Sequence, residues 1–177
     1  MLTYIALLRG INVGGHKKVP MAALRTLLSN SGFQNVQTYI QSGNVVFQST
    51  EKINLLENKI QELIRNHFGF EVPVIVKTDS QLQGIIDACP FSIEKKEASY
   101  FILLSTIPNS LLVKEIAEIA IENEEVIIKK DCLYFYSATG YGRTKFNMTT
   151  YERKLKVVGT SRNYKTMTKL VSLSAEN

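Results

Sequence analysis

Apolar positions along the chain change their spacing several times, and each change marks an element. Residues 2–8 (LTYIALL) are apolar almost without a break, the pattern of a short strand covered on both faces. From Met21 the spacing becomes helical, with Leu24, Leu27 and Leu28 on one stripe, Pro20 at the entrance and Gly32 at the exit. The stretch 36–49 (VQTYIQSGNVVFQS) reads as a hairpin turning at Ser42 and Gly43. Ile53, Leu56, Ile60, Leu63 and Ile64 form the stripe of a second helix ending near Gly69, and 72–77 (VPVIVK) is a further strand. A short helix is predicted over 79–88, before the break at Cys89–Pro90.

The order to this point is βαββαβ, a ferredoxin-like unit. The pattern then begins again. Residues 100–105 form a strand, and Pro108 and Asn109 open a helix with Leu112, Ile116, Ile119 and Ala120 on one face. Residues 125–129 and 132–137 make a hairpin around Lys130 and Asp131. The repeat's second helix falls at 149–155, with no evident closing strand behind it. Instead Thr160 or Ser161 is expected to cap a last helix carrying Tyr164, Met167, Leu170 and Val171. The expected fold class is α+β, with two ferredoxin-like (βαββαβ) subdomains over 1–90 and 98–177. The second is incomplete and closed by C-terminal helices, and the two are expected to form one compact unit.

Composition sets outer bounds on this picture. A 177-residue chain with 45% apolar and 21% charged residues has the make-up of an ordinary globular protein. No apolar run approaches the roughly 20 residues that span a bilayer, so no membrane partner is expected. The N-terminus has neither a basic region before its apolar run nor a small-residue cleavage site after it, and no signal peptide is read there. Cys89 and Cys132 lack metal or redox spacing, which points to reduced thiols and a cytoplasmic setting.

Charge changes the picture more. Residues 1–50 hold Arg9, Lys17, Lys18 and Arg25 and no acid; residues 51–139 hold nine bases and 14 acids; residues 140–177 hold eight bases and two acids. Like charge at both ends repels if the ends meet, unless an anion joins them. The densest feature is the loop 9–18, RGINVGGHKK, with three glycines and no acidic residue. Running from a strand into a helix, such a loop turns backbone N–H groups toward an anion with cations beside them. It has neither a Gly-Lys-Ser/Thr nor a G-x-G-x-x-G pattern, so neither phosphate fingerprint is met. The alternative is a long turn that needs positive φ and carries solvated lysines.

Other candidate groups are Ser42, Gly43 and Asn44 at the hairpin tip, and Arg143, Lys145, Arg162 and Lys165 near the C-terminus. Thr160, Ser161, Arg162 and Asn163 are expected at the start of the last helix, where free N–H groups favour negative charge. Tyr134 and Tyr136 alternate with Leu133 and Phe135; such a pair either stacks bases or packs under a helix. His16 and His67 have no companion at metal-ligand spacing, and His67 is expected on the apolar side of its helix. No metal, cofactor or catalytic set is indicated, and no reaction is named. Cations and His16 acting on a bound anion are the sole catalytic candidates.

Taken together, YIALLRGINVGGHKKVPMAALR, TYIQSGNVVF and YERKL followed by GTSRNYKTMTKL resemble a widespread bacterial family of unknown function. That family opens with a Leu-Arg-Gly-Ile-Asn-Val-Gly-Gly motif and closes with Thr-x-Arg-Asn-Trp-x-Thr. The matching positions are Arg9, Gly10, Asn12, Gly14, Gly15, Ser42, Gly43, Asn44, Arg162, Asn163 and Thr166, with Tyr164 in place of the Trp. The resemblance implies a small α+β protein with two ferredoxin-like subdomains and implies no activity. The ligand set expected from the residues is Arg9, Asn12, Gly14, Gly15, Lys17, Lys18, Ser42, Asn44, Arg143, Lys145, Arg162 and Asn163. Its expected partner is a small anionic, phosphorylated ligand; the alternative is a nucleic-acid-binding module built on the basic termini.

Overall fold

The computed structural model describes residues 1–119 and 121–177; Ala120, placed above on a helical stripe, lies outside the described residues. The chain divides into one unit of Met1–Gln83 with Thr168–Asn177 and a second of Gly84–Met167. The C-terminal residues thus group with the first unit.

In the first unit the elements are β1 (Leu2–Leu8), α1 (Met21–Asn30), β2 (Gln34–Tyr39), β3 (Asn44–Ser49), α2 (Ile53–Phe68) and β4 (Val74–Thr78); α3 (Asp79–Asp87) runs on from β4 and from Gly84 belongs to the second unit. The sheet order is β2-β3-β1-β4, antiparallel throughout. Ala6 stands between Val45 and Val76 at its centre. Tyr4, Ala6 and Leu8 face Leu24 and Leu28 of α1 and Leu56, Ile60 and Ile64 of α2 in one core. Ile5 and Leu7, on the other face, are buried as well, which accounts for the unbroken apolar run. Gly69 ends α2 in the left-handed conformation at φ 82 and donates to Arg65 O. His67 is exposed; Phe68, the next residue, packs on the core instead.

In the second unit the elements are α4 (Ile93–Glu97), β5 (Tyr100–Leu104), α5 (Ser110–Ala117), β6 (Glu124–Lys129), β7 (Cys132–Ser137), α6 (Met148–Leu155) and β8 (Gly159–Asn163); α7 (Tyr164–Ala175) begins here and from Thr168 groups with the first unit. Its sheet order, β6-β7-β5-β8, repeats that of the first unit. The second ferredoxin-like set, expected to be incomplete, is therefore closed by a strand. GTSRN carries no apolar alternation that would mark a strand; Gly159, Thr160 and Arg162 fill its buried positions. A Cβ on Gly159 would stand 2.9 Å from Ile102 Cγ2, so only glycine lets β8 approach β5 this closely. Thr160 and Ser161 are strand residues, and Asn163 is the residue that caps α7, its Oδ1 accepting from Thr166 N at 2.9 Å. Leu133 and Phe135 enter the core with Ile102, Phe146, Tyr151 and Leu155. Tyr134 is buried on the opposite face and donates to Ile85 O at 2.8 Å. Ile119 lies beyond the end of α5.

Candidate functional site

The Gly-rich loop and the tip of the β2–β3 hairpin meet at one end of the first sheet. The tip is a four-residue connection, residues 40–43, rather than the two-residue turn expected at Ser42 and Gly43. Leu8 N donates to Gly43 O at 2.8 Å, and Asn12 Nδ2 donates to Gln41 O at 2.9 Å. Asn12 also donates to Val19 O at 3.0 Å and accepts from Val19 N at 2.8 Å, closing the loop on itself. Its side chain ties three segments together and has both N–H donors engaged. Asn44 is fully buried, donating to Tyr39 O at 2.9 Å and Ser42 Oγ at 3.0 Å. Both asparagines belong to the frame.

Within that frame the loop doubles back as a miniature hairpin. Val13 bridges His16, His16 N donates to Val13 O at 3.0 Å, and Asn12 N donates to Lys17 O at 3.1 Å. Gly14 and Gly15 occupy the turn at φ 57 and 79, a backbone that favours glycine at both positions. Their N–H groups donate to no described residue. Gly14, Gly15, His16, Lys17 and Lys18 are all exposed, and Arg9 is half-buried at the end of β1. Lys17 Nζ donates to Glu71 O at 2.6 Å, which draws its charge toward the β4 entrance. The Glu71 carboxylate stands 3.9 Å from Arg65 Nη1.

Two further residues of this end were not singled out in the sequence. Ile40 holds φ 48, a costly conformation for a β-branched residue, and is half exposed, so no core burial offsets the cost. Val13 is exposed beside the glycine turn. No pattern in the sequence marks Ile40, because a positive φ leaves no trace in an apolar side chain.

The C-terminal cations are arranged differently. Arg143 ends a single 3-10 turn, Tyr141–Arg143, and is exposed; Lys145 is exposed, with its N–H held by Glu124 Oε1 at 2.7 Å. Arg162 is buried within β8, opposite Phe101, and donates through Nη1 to Thr160 Oγ1 at 2.9 Å and Ser161 O at 2.7 Å. Burial pulls its guanidinium down to about 10, so it stays protonated at neutral pH. Ser161 stands opposite Ile102, on the core face, so strand alternation sends Arg162 to the other face. Asn163 is exposed at the α7 cap. Arg162 is buried while the other three are exposed, and all four belong to a different unit from the glycine loop. Tyr136, offered above for base stacking, instead lies against Phe91 and under Lys95.

Among the described residues no group of three His, Cys, Asp or Glu side chains is placed to hold a metal, and no helix is long and apolar enough to cross a membrane. The family described as protein of unknown function (DUF1697) matches residues 1–134. The chain is similar to the solved structure of conserved bacterial protein SP0830 from Streptococcus pneumoniae, at 26% identity and a TM-score of 0.77, over 97% of this chain and 98% of that one. Among curated proteins none matches.

Proposed function

The chain belongs to that family of unknown function, whose description supplies no activity, and from this premise we propose that the protein binds a small anion at the Gly14–Gly15 turn. The observation that carries the reading is the turn itself. Two adjacent left-handed glycines present N–H groups that meet no acceptor among the described residues, in a loop with cationic and neutral side chains alone. Arg9, Lys17 and Lys18 supply charge, His16 flanks the turn, and Ser42 adds a hydroxyl from the hairpin tip. The positive end of α1 follows the loop. Asn12 and Asn44 hold the frame rather than the ligand. Arg143, Lys145, Arg162 and Asn163 lie in the other unit and are not needed for this reading.

A thermal-shift series at low salt tests it, with phosphate, sugar phosphates, dicarboxylates and short oligonucleotides against wild type and a Lys17→Ala, Lys18→Ala double variant. A ligand at 100 times its dissociation constant stabilises by about 2.7 kcal/mol, a rise of several degrees for a chain of this size. The expected result is a shift with a small anion that the double variant loses. A response to oligonucleotides alone, abolished by moderate salt, replaces this reading with nucleic-acid binding. Silence across the series refutes both.

A further inference from the structure

The two sheets have four edge strands, β2, β4, β6 and β8. An unpaired edge invites another strand, and natural proteins blunt it. Three of these edges are blunted. β2 breaks register between Gln34 and Gln37, with Asn35 at φ 49. On β4 the Val76 N–H is taken by Glu57 Oε1 at 2.9 Å. On β8 the Gly159 N–H is taken by Glu152 Oε1 at 2.6 Å.

Among the described residues β6 has no such device beyond its first residue, where Glu124 Oε1 accepts from Thr144 Oγ1 and Lys145 N, both at 2.7 Å. It pairs with β7 in unbroken register from Glu124↔Ser137 to Lys129↔Cys132. The two-residue connection makes Glu125, Ile127 and Lys129 the residues whose peptide groups bond to β7, so Val126 and Ile128 turn theirs outward. Among the described residues neither outward group finds a partner. The side chains of Val126 and Ile128 pack on the unit's core, while Ile127 is half-exposed on the other face.

We propose that this edge pairs antiparallel with β6 of a second copy of the chain, about a two-fold axis at Ile127. The sequence of the strand and its turn, EEVIIKK, is self-complementary under that operation. Outward groups meet outward groups when Val126 faces Ile128 on both sides of the axis. In that same register Glu125 faces Lys129, twice. Sliding by two residues in one direction sets Glu125 against Ile127. Sliding in the other sets Lys129 against Ile127 and Glu125 against Asp131. Backbone parity and charge thus select one register. Glu125 already holds Lys95, and Lys129 donates to Ala88 O at 3.1 Å, so the cross-pairs extend contacts within each copy. The interface is isologous and joins two four-stranded sheets into one.

Sedimentation of the full chain across a dilution series, at low and high salt, tests the pairing. A dimer is expected at about 100 μM that dissociates on dilution, as a single edge pair is smaller than a standard interface. Ile127→Lys sets two cations together on the axis and is expected to give a monomer with unchanged far-UV circular dichroism. Glu125→Lys is expected to weaken the dimer tenfold or more, and Glu125→Lys with Lys129→Glu to restore it, since the swapped charges again face opposites. That recovery keeps the test decisive if Ile127→Lys fails to fold. A monomeric wild type at about 100 μM, a dimer indifferent to Ile127→Lys, or a double swap that stays monomeric overturns the proposal.

Discussion

Replacing Gly43 by alanine separates the structural glycines of this protein from the exposed ones. Gly43 sits at φ 83, and a Cβ there would lie 2.7 Å from Leu8 Cβ and 2.9 Å from Ile11 Cδ1. The Ile11 terminus can rotate aside; the Leu8 Cβ is fixed to the backbone of β1. The peptide cannot swing away either, because Gly43 O accepts from Leu8 N at 2.8 Å. The left-handed backbone costs a non-glycine residue about 1–2 kcal/mol, and overpacking a tight core adds about 1–3 kcal/mol. The expected loss is about 2–5 kcal/mol, a fall of roughly 5–15 °C in melting temperature for a chain of this size. Gly15 is the control. It has φ 79, but nothing lies within 4 Å of the added Cβ, so Gly15→Ala meets the backbone term alone, about 1–2 kcal/mol. Urea unfolding followed by far-UV circular dichroism measures both, read as midpoint shifts at unchanged slope. Equal losses in the two variants would refute the reasoning, because the contact at Leu8 would then carry no weight.

Two further expectations follow from the same geometry. Asn12→Ala removes two donors and an acceptor that tie the loop to Val19 and Gln41, and leaves alanine at φ 56, for a loss of about 2–4 kcal/mol; unchanged stability in thermal melts would return Asn12 to the ligand set. Burial raises the phenols of Tyr134, Tyr141 and Tyr151 above their ordinary value, with Cys132, Tyr100 and Glu124 respectively adding to the effect. A phenol that holds its proton longer in the folded state stabilises fully below the unfolded value of about 10 and loses that contribution as pH climbs past it. Ultraviolet titration is therefore expected to show these three among the eight tyrosines ionising late, together with falling stability above about pH 10; a single ordinary titration with the fold intact would contradict it.

The elements that were legible in the sequence are those whose core-facing positions are apolar and periodic. The stripe Leu56, Ile60, Ile64 located α2, and the run through Leu8 located β1 with its two buried faces. β8 was not legible, because its fit depends on the absence of a side chain at Gly159 and on polar residues whose burial the hydrophobic pattern cannot register. The same blindness misplaced the cap of α7. A run of Thr, Ser, Arg and Asn offers several cap residues, and the partner of each is a backbone N–H that carries no sequence label. His67 failed for a simpler reason: the helical stripe passes between positions 67 and 68, and the bulkier apolar ring takes the buried place.

The candidate site divides along a similar line. The chain shared with the family motif reads as one Gly-rich, Asn-containing element, yet its parts act differently. Asn12, Gly43 and Asn44 bind carbonyls and fill gaps, and the carbonyls they bind, on Val19, Gln41 and Tyr39, have no signature of their own. An asparagine that orders a loop and one that binds a ligand are the same letter with the same exposure to suspicion. Gly14 and Gly15 are different in kind. Nothing crowds Gly15, and Gly14 meets only the His16 ring, at 3.9 Å, so their conformation is not forced by packing against a core. Holding two residues in the left-handed region on the surface gives the fold itself little return. A loop that existed only to connect β1 to α1 could cross the same gap with ordinary residues. The frame built by the asparagines therefore makes most sense as support for the turn it holds out, and the turn is where a ligand is to be sought.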